Sequence, residues 1–160
     1  MRKGFTMIEL IFVIVIIGIL AAVAIPKLAA TRNDAKVAKA ASNLATFYSD
    51  MAASYTAQGQ FGDMNNTSSG KLDASKLKDV TNVGEVVFNT SSSGVAQLWF
   101  MTDNNSTKCI DINVTYDGNV TAVQDSHGTS SAVCKQLVGL SSVKALIDVN
   151  QTLGGRKVKF

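Results

Sequence analysis

The sequence predicts an α+β fold: a long N-terminal helix whose first half suits a membrane and whose second half packs on an antiparallel sheet. Three observations predict it. From Leu10 to Ile25 the chain carries no charged or strongly polar residue. An apolar stripe then continues at helical spacing as far as Tyr55. Beyond it, Val- and Ile-rich segments alternate with polar residues and are separated by Gly, Asn and Asp turns. With 160 residues the chain is long enough for one domain and short for two.

The first element is the apolar run from Phe5 to Ile25. As a helix it would span about 31 Å, enough to cross a bilayer core of roughly 30 Å. Three readings compete for it. Met1-Arg2-Lys3 with the following apolar run and Ala22-Val23-Ala24 could be a secretory signal cut after Ala24. The run could equally be a plain membrane anchor. The third reading is a segment cut after Gly4, and Glu9 decides for it. A carboxylate in such a span costs roughly 2.5–3.5 kcal/mol, which neither a signal peptide nor an anchor recovers. Cutting between Gly4 and Phe5 would create an α-amino group close to Glu9, and opposite charges in a low dielectric attract strongly.

These residues carry a family resemblance. Met1-Arg2-Lys3-Gly4, then Phe5-Thr6-Met7-Ile8-Glu9-Leu10 and an apolar run, resembles the prepilin leader of type IV pilins and type II secretion pseudopilins. The resemblance covers about the first 30 residues, and Gly18 and Pro26 fall where such helices also carry Gly and Pro. It implies the pilin fold, cleavage after Gly4, and methylation of the Phe5 amine, both by a membrane aspartyl prepilin peptidase. It implies that Glu9 pairs with the Phe5 amine of a neighbouring copy during assembly. The subunit would sit in the bacterial inner membrane as a single-pass protein with a periplasmic head. An assembly platform and its ATPase machinery would then move it into a helical homo-oligomer, either an extracellular pilus or a periplasmic pseudopilus. Charge counting alone favours the opposite topology, since Lys27, Arg32, Lys36 and Lys39 follow the span and only Arg2 and Lys3 precede it.

The organisation follows: leader 1–4, membrane or filament-core helix 5–26, amphipathic continuation 27–57, and a head at 58–160. Val37, Ala41, Leu44, Tyr48, Met51 and Tyr55 form one apolar stripe. The many alanines between Ala29 and Ala53 raise helix propensity. Such a helix would extend roughly 80 Å. About 100 remaining residues could not cover it, so its N-terminal half should meet lipid or other copies. Pro26 should kink or locally melt it, because proline removes a donor and clashes with the preceding turn.

In the head, Gln58 to Lys71 reads as a loop, and Leu72 to Val80 could hold a short helix. Glu85 to Phe88 reads as a strand. Val95 to Met101, containing Trp99 and Phe100, reads as a strand buried on both faces. Cys109 to Tyr116 alternates, with Ile110, Ile112, Val114 and Tyr116 on one face. Asp117-Gly118 signals a hairpin turn before a returning strand from Asn119 to Gln124. The sum is an antiparallel meander laid on the helix. Ala132 to Leu140 and Ser141 to Asp148 are ambiguous and could form short helices. Gly154-Gly155 would precede a last strand from Arg156 to Phe160.

Without Arg2 and Lys3 the chain has 13 basic side chains against 12 acidic ones, which does not indicate a nucleic-acid binder. No nucleophile–base spacing and no phosphate-binding glycine loop occur, and the single histidine, His127, falls in a loop. No enzyme and no cofactor is therefore expected. Asp103, Asp111, Asp117 and Asp125 lack the spacing of a calcium loop and read as solvated loop and turn acids. If the head is exported, Cys109 and Cys134 should pair. The bridge would tie the hairpin to the C-terminal segment, as the resemblance to pilins also implies.

A second pattern lies in the asparagines. Asn-x-Ser/Thr occurs eight times, and five copies extend to Asp-x-Asn-x-Thr, centred on Asn65, Asn105, Asn113, Asn119 and Asn150. Composition alone predicts about 0.1 such matches. The pattern resembles the extended acidic sequon of bacterial N-linked oligosaccharyltransferases and marks those five as candidate glycosylation sites, Asn65 first among them because its polar, Gly-flanked loop should leave it accessible. Turn and strand chemistry explains single copies but not one spacing repeated five times. Sequons and a disulfide favour a surface-exposed pilin over a pseudopilin. The rival from another class is a secreted or anchored binding protein cut after Ala24.

Overall fold

The computed structural model describes residues 4–59, 61, 65–66, 71–72, 77–90, 95–103 and 105–154. The chain divides into two compact units, residues 1–35 and 36–160. Helix α1, Met7–Gln58, supplies the described part of the first unit after Thr6 and continues into the second. Its end falls one residue from the expected Ala57. It runs through Pro26 with no break in helical structure, so the expected local melting does not occur. Proline costs the Ala22 carbonyl one partner, while helix-forming residues lie on both sides.

In the second unit α1 carries the helix side of the core. Val37, Ala40, Leu44, Phe47, Tyr48, Met51 and Tyr55 are buried, and Ala41 is half-buried. The buried face is thus wider than the single predicted line, taking in Ala40 and Phe47. A helix lying on a sheet buries an arc of about 100° or more, not one row of side chains.

The sheet is a five-stranded antiparallel meander in the order β3-β4-β5-β6-β7, where β3 is Val86–Thr90, β4 Val95–Thr102, β5 Thr107–Thr115, β6 Asn119–Gln124 and β7 Gln151–Thr152. Its register stacks apolar pairs on one face: Phe88 opposite Leu98, Phe100 opposite Ile110, Leu98 opposite Ile112, Ile112 opposite Ala122, and Val114 opposite Val120. Cross-strand pairs of this kind contribute roughly 0.2–1 kcal/mol each. They face the buried side chains of α1 within one core.

Strand β4 corrects the expectation of burial on both faces. Ala96, Leu98, Phe100 and Thr102 are buried, whereas Gln97 is exposed and Trp99 is half-buried on the outer face. The Lys108 ammonium sits 4.6 Å from the Trp99 ring centroid and covers it in place of a second layer. A bulge interrupts β5 opposite Phe100 and Met101, leaving Cys109 as the extra residue between paired Lys108 and Ile110. Tyr116, expected to continue the inner face of β5, lies in the turn and is half-buried.

Three further segments differ from expectation. The predicted loop from Gln58 to Lys71 contains one half of a small hairpin, β1 (Asn65–Asn66), paired antiparallel with β2 (Lys71–Leu72). Leu72 is therefore a strand residue, while Leu77, inside the span 72–80 that could hold a short helix, is helical; residues 73–76 lie outside the described residues. After β6, a 3-10 turn at Ser126–Ser130 leads to α2, Ala132–Gly139, and α3, Ser141–Lys144. The second predicted helix is thus only one turn long, and the chain then returns as β7 to pair with β6. The predicted strand 156–160 lies outside the described residues.

Candidate functional site

The N-terminal segment is built around one local device. Thr6 precedes the first helical residue, and its backbone N–H donates to Glu9 Oε2 at 2.8 Å. Its hydroxyl donates to the same oxygen at 2.7 Å, and the Glu9 N–H donates back to Thr6 Oγ1 at 3.4 Å. Thr6-x-x-Glu9 is a capping box: two side chains satisfy reciprocally the donors that a helix start leaves unpaired. The spacing was readable in the sequence, where the charge of Glu9 drew attention instead. Both oxygen contacts fall on Oε2; among the described residues Oε1 accepts no hydrogen bond.

The same device places the Gly4–Phe5 junction. Gly4, Phe5 and Thr6 are non-helical, so this peptide bond lies on open backbone just ahead of the cap. Phe5 is 88% exposed, and nothing lies within 4 Å of a Cβ built at Gly4. A protease needs an accessible backbone outside a helix, and the junction supplies one. A new amine at Phe5 would stand at the positive end of the helix dipole, where a cation is disfavoured and a carboxylate is favoured. Glu9 is the acidic residue of that first turn.

Downstream, the apolar side chains from Ile8 to Leu28 are predominantly exposed, among them Leu10, Phe12, Ile14, Ile17, Ile19, Leu20 and Ile25. Each such side chain contributes roughly 1.5–3 kcal/mol when removed from water. A handful of them outweighs the few kcal/mol that one carboxylate costs in lipid. The helix is long and apolar enough to cross a membrane.

Cys109, in the β5 bulge, is disulfide-bonded to Cys134 on α2, with Cα atoms 5.6 Å apart. Both are fully buried. Gly128 packs on the bridge: a Cβ there would meet Cys134 Sγ at 2.6 Å. Ser131 caps α2 by accepting from the Cys134 N–H at 3.2 Å, and donates through its hydroxyl to Asp103 at 2.7 Å. All four of Asp103, Asp111, Asp117 and Asp125 have protein partners, and Asp117 Oδ1 accepts from the Thr115 hydroxyl at 2.6 Å. Asp103 pairs with Lys36 at 3.3 Å, while Asp111 and Asp125 share Lys108 at 2.7 and 3.1 Å. Among the described residues no three His, Cys, Asp or Glu side chains cluster as metal ligands.

The five asparagines are not gathered. Asn65 lies on β1, with its side chain outside the described residues. Asn105 is exposed after β4, Asn113 is half-buried in mid-β5, Asn119 is half-buried at the start of β6, and Asn150 is exposed just before β7.

No curated protein and no solved structure matches the chain. Residues 1–25 match the family model of the prokaryotic N-terminal methylation motif. That match spans Gly4, Phe5, the Thr6–Glu9 capping box and the exposed apolar run. The chain therefore carries the prepilin-type segment that is the signature of type IV pilins and pseudopilins.

Proposed function

We propose that the protein is a structural subunit of a type IV pilus-like filament. Prepilin peptidase cuts it after Gly4 and methylates the Phe5 amine. The N-terminal helix holds the subunit in the inner membrane with its head in the periplasm. Assembly machinery then transfers it to a filament, where helix contacts between copies replace lipid contacts. The observation that carries this reading is one apolar, exposed helix start bearing a single carboxylate, on a segment matching the methylation motif. Methylation leaves the amine charged, so the carboxylate retains a counter-charge after processing.

A pseudopilin of a type II secretion system is the second reading, since the same N-terminal segment serves both. The disulfide between Cys109 and Cys134 and the repeated Asp-x-Asn-x-Thr pattern support an exposed pilin. Intact-mass measurement on protein taken from its own membranes tests the shared part. A chain that starts at Phe5 and carries one extra methyl group is expected. A chain that starts at Ile25 overturns the reading.

A further inference from the structure

Among the four Asp-x-Asn-x-Thr copies whose asparagine side chains are described, the structure separates those an enzyme can reach from those it cannot. Asn119 fails first: its Oδ1 is buried, and its backbone N–H is tied to Thr115 Oγ1 at 3.1 Å. Asn113 stands in the middle of a nine-residue strand, paired to Gln97 on one side and Thr121 on the other. Its backbone cannot leave without opening the sheet. Asn105 is exposed, but its amide donates to the Gly84 carbonyl at 2.9 Å.

Asn150 is exposed like Asn105 but, among the described residues, has no such tie. Asp148, Asn150 and Thr152, the three defining positions, are all exposed, and so is Val149 between them. The stretch is lightly held. The Asp148 N–H donates to the Ala122 carbonyl at 2.8 Å, the Gln151 side-chain amide donates to the Ala145 carbonyl at 2.8 Å, and among the described residues the two residues of β7 form an edge strand paired with β6 alone. Short edge segments of this kind open at low cost compared with core strands. An acceptor peptide must be drawn into an enzyme groove with its amide free, and this stretch meets that need.

We infer that Asn150 is an N-glycosylation acceptor, modified outside the cytoplasm from a polyprenyl-pyrophosphate-linked oligosaccharide. The amide nitrogen of Asn150 would displace the lipid pyrophosphate at the anomeric carbon. One C–N bond forms, the sugar C–O bond to the phosphate breaks, the amide loses one proton, and the pyrophosphate leaves on the lipid. Asp148 gives the acceptor stretch a negative charge for a basic groove to read, and Thr152 supplies the hydroxyl of the sequon. The inference rests on export of the head, and so on the membrane-anchored reading above.

Glycopeptide mass spectrometry on the full chain from its native membranes tests it, with the N-terminal and disulfide-linked peptides read in the same digest. The expected result is a glycan mass on the Asn150 peptide and a bare Asn119. Asn150→Gln should remove that mass. Asp148→Asn should reduce occupancy to a small fraction, since Asn tolerates the positive φ of 59° at that position and removes only the charge. Both variants should still start at Phe5 and contain the Cys109–Cys134 bridge, which shows that they were exported and folded. A bare Asn150 in protein that starts at Phe5 overturns the inference and leaves the proposed function standing. A chain that does not start at Phe5 overturns that function and, with it, the export on which the inference rests.

Discussion

The Tyr55 ring, at the last turn of α1, packs on Gly118 in the β5–β6 turn so closely that a Cβ on the glycine would clash with the Cε2–Cζ edge of the ring. The Tyr55 hydroxyl donates to the neighbouring Asp117 carbonyl at 2.8 Å. Gly154 abuts the other edge of the ring, and the Leu153 N–H donates to the Gly118 carbonyl at 2.9 Å. One aromatic side chain thus joins helix end, hairpin and C-terminal return.

Gly118→Ala should be among the most damaging single changes in the head. The residue has φ 76°, which a Cβ resists, and the added methyl overlaps the ring. Together these effects should cost about 2–4 kcal/mol. Tyr55→Phe keeps the ring and loses one hydrogen bond, so it should cost only about 1 kcal/mol. Thermal unfolding of the detergent-solubilised full chain checks both; an equal loss from the two would refute the packing argument.

The Cys109–Cys134 bridge closes a loop of about 26 residues, worth roughly 3–4 kcal/mol by chain entropy. Cys134→Ala with Cys109→Ala should lower the unfolding midpoint of the head accordingly. The apolar start of α1 should remain helical, because its capping box and hydrogen bonds involve neither cysteine. Far-ultraviolet circular dichroism during unfolding separates the two, since residual helicity should survive loss of the head.

Asp125 sets an acid limit on the head. Burial opposes its ionisation, but the His127 N–H, the His127 ring and the Lys108 ammonium more than offset this and hold the carboxyl well below the ordinary range. A carboxyl lowered on folding adds stability above its unfolded value of about 4 and loses it as pH falls toward the folded value. Asp125→Asn should therefore be less stable than the wild type near pH 7, and the difference should shrink as pH drops below about 4. Urea unfolding midpoints across that range provide the measurement. A difference independent of pH would mean that the Asp125 contribution is not ionic.

The long helix, the meander, the Asp117-Gly118 turn and the prepilin segment were legible because each depends on local periodicity or a short motif. What was missed depends on neighbours in space. Phe47 and Ala40 lie beside the predicted stripe and become core only because a flat sheet covers a broad face. Trp99 looked buried on both sides, yet its outer face is covered by Lys108, a residue on the adjacent strand. Strand β7 is two residues long and owes its existence to pairing with β6, so no local pattern announces it. The Thr6–Glu9 capping box was local and readable. The cap and the assembly role proposed for Glu9 are compatible.

That compatibility permits the sharpest test of Glu9. Its carboxylate holds the helix start through Oε2, while the charge itself is proposed to meet the Phe5 amine of another copy. In a packed filament core a carboxylate without a counter-charge would be costly, and a neighbour's amine supplies one. Glu9→Gln separates cap from charge, because glutamine also serves at this capping position. The variant should still be cut after Gly4, since the junction and its open backbone are unchanged. Its head should unfold at the wild-type midpoint, because the Glu9 hydrogen bonds hold only the helix start at Thr6. Filament formation should fail or slow severely. Thr6→Val gives the converse: it removes the hydroxyl contact, keeps the charge, and should cost the helix start about 1 kcal/mol while leaving assembly in place. Electron microscopy of sheared filaments, intact-mass analysis of membrane protein and thermal unfolding followed by circular dichroism check these outcomes. Wild-type assembly by a processed Glu9→Gln subunit would remove the charge from the mechanism and leave Glu9 as a helix cap alone.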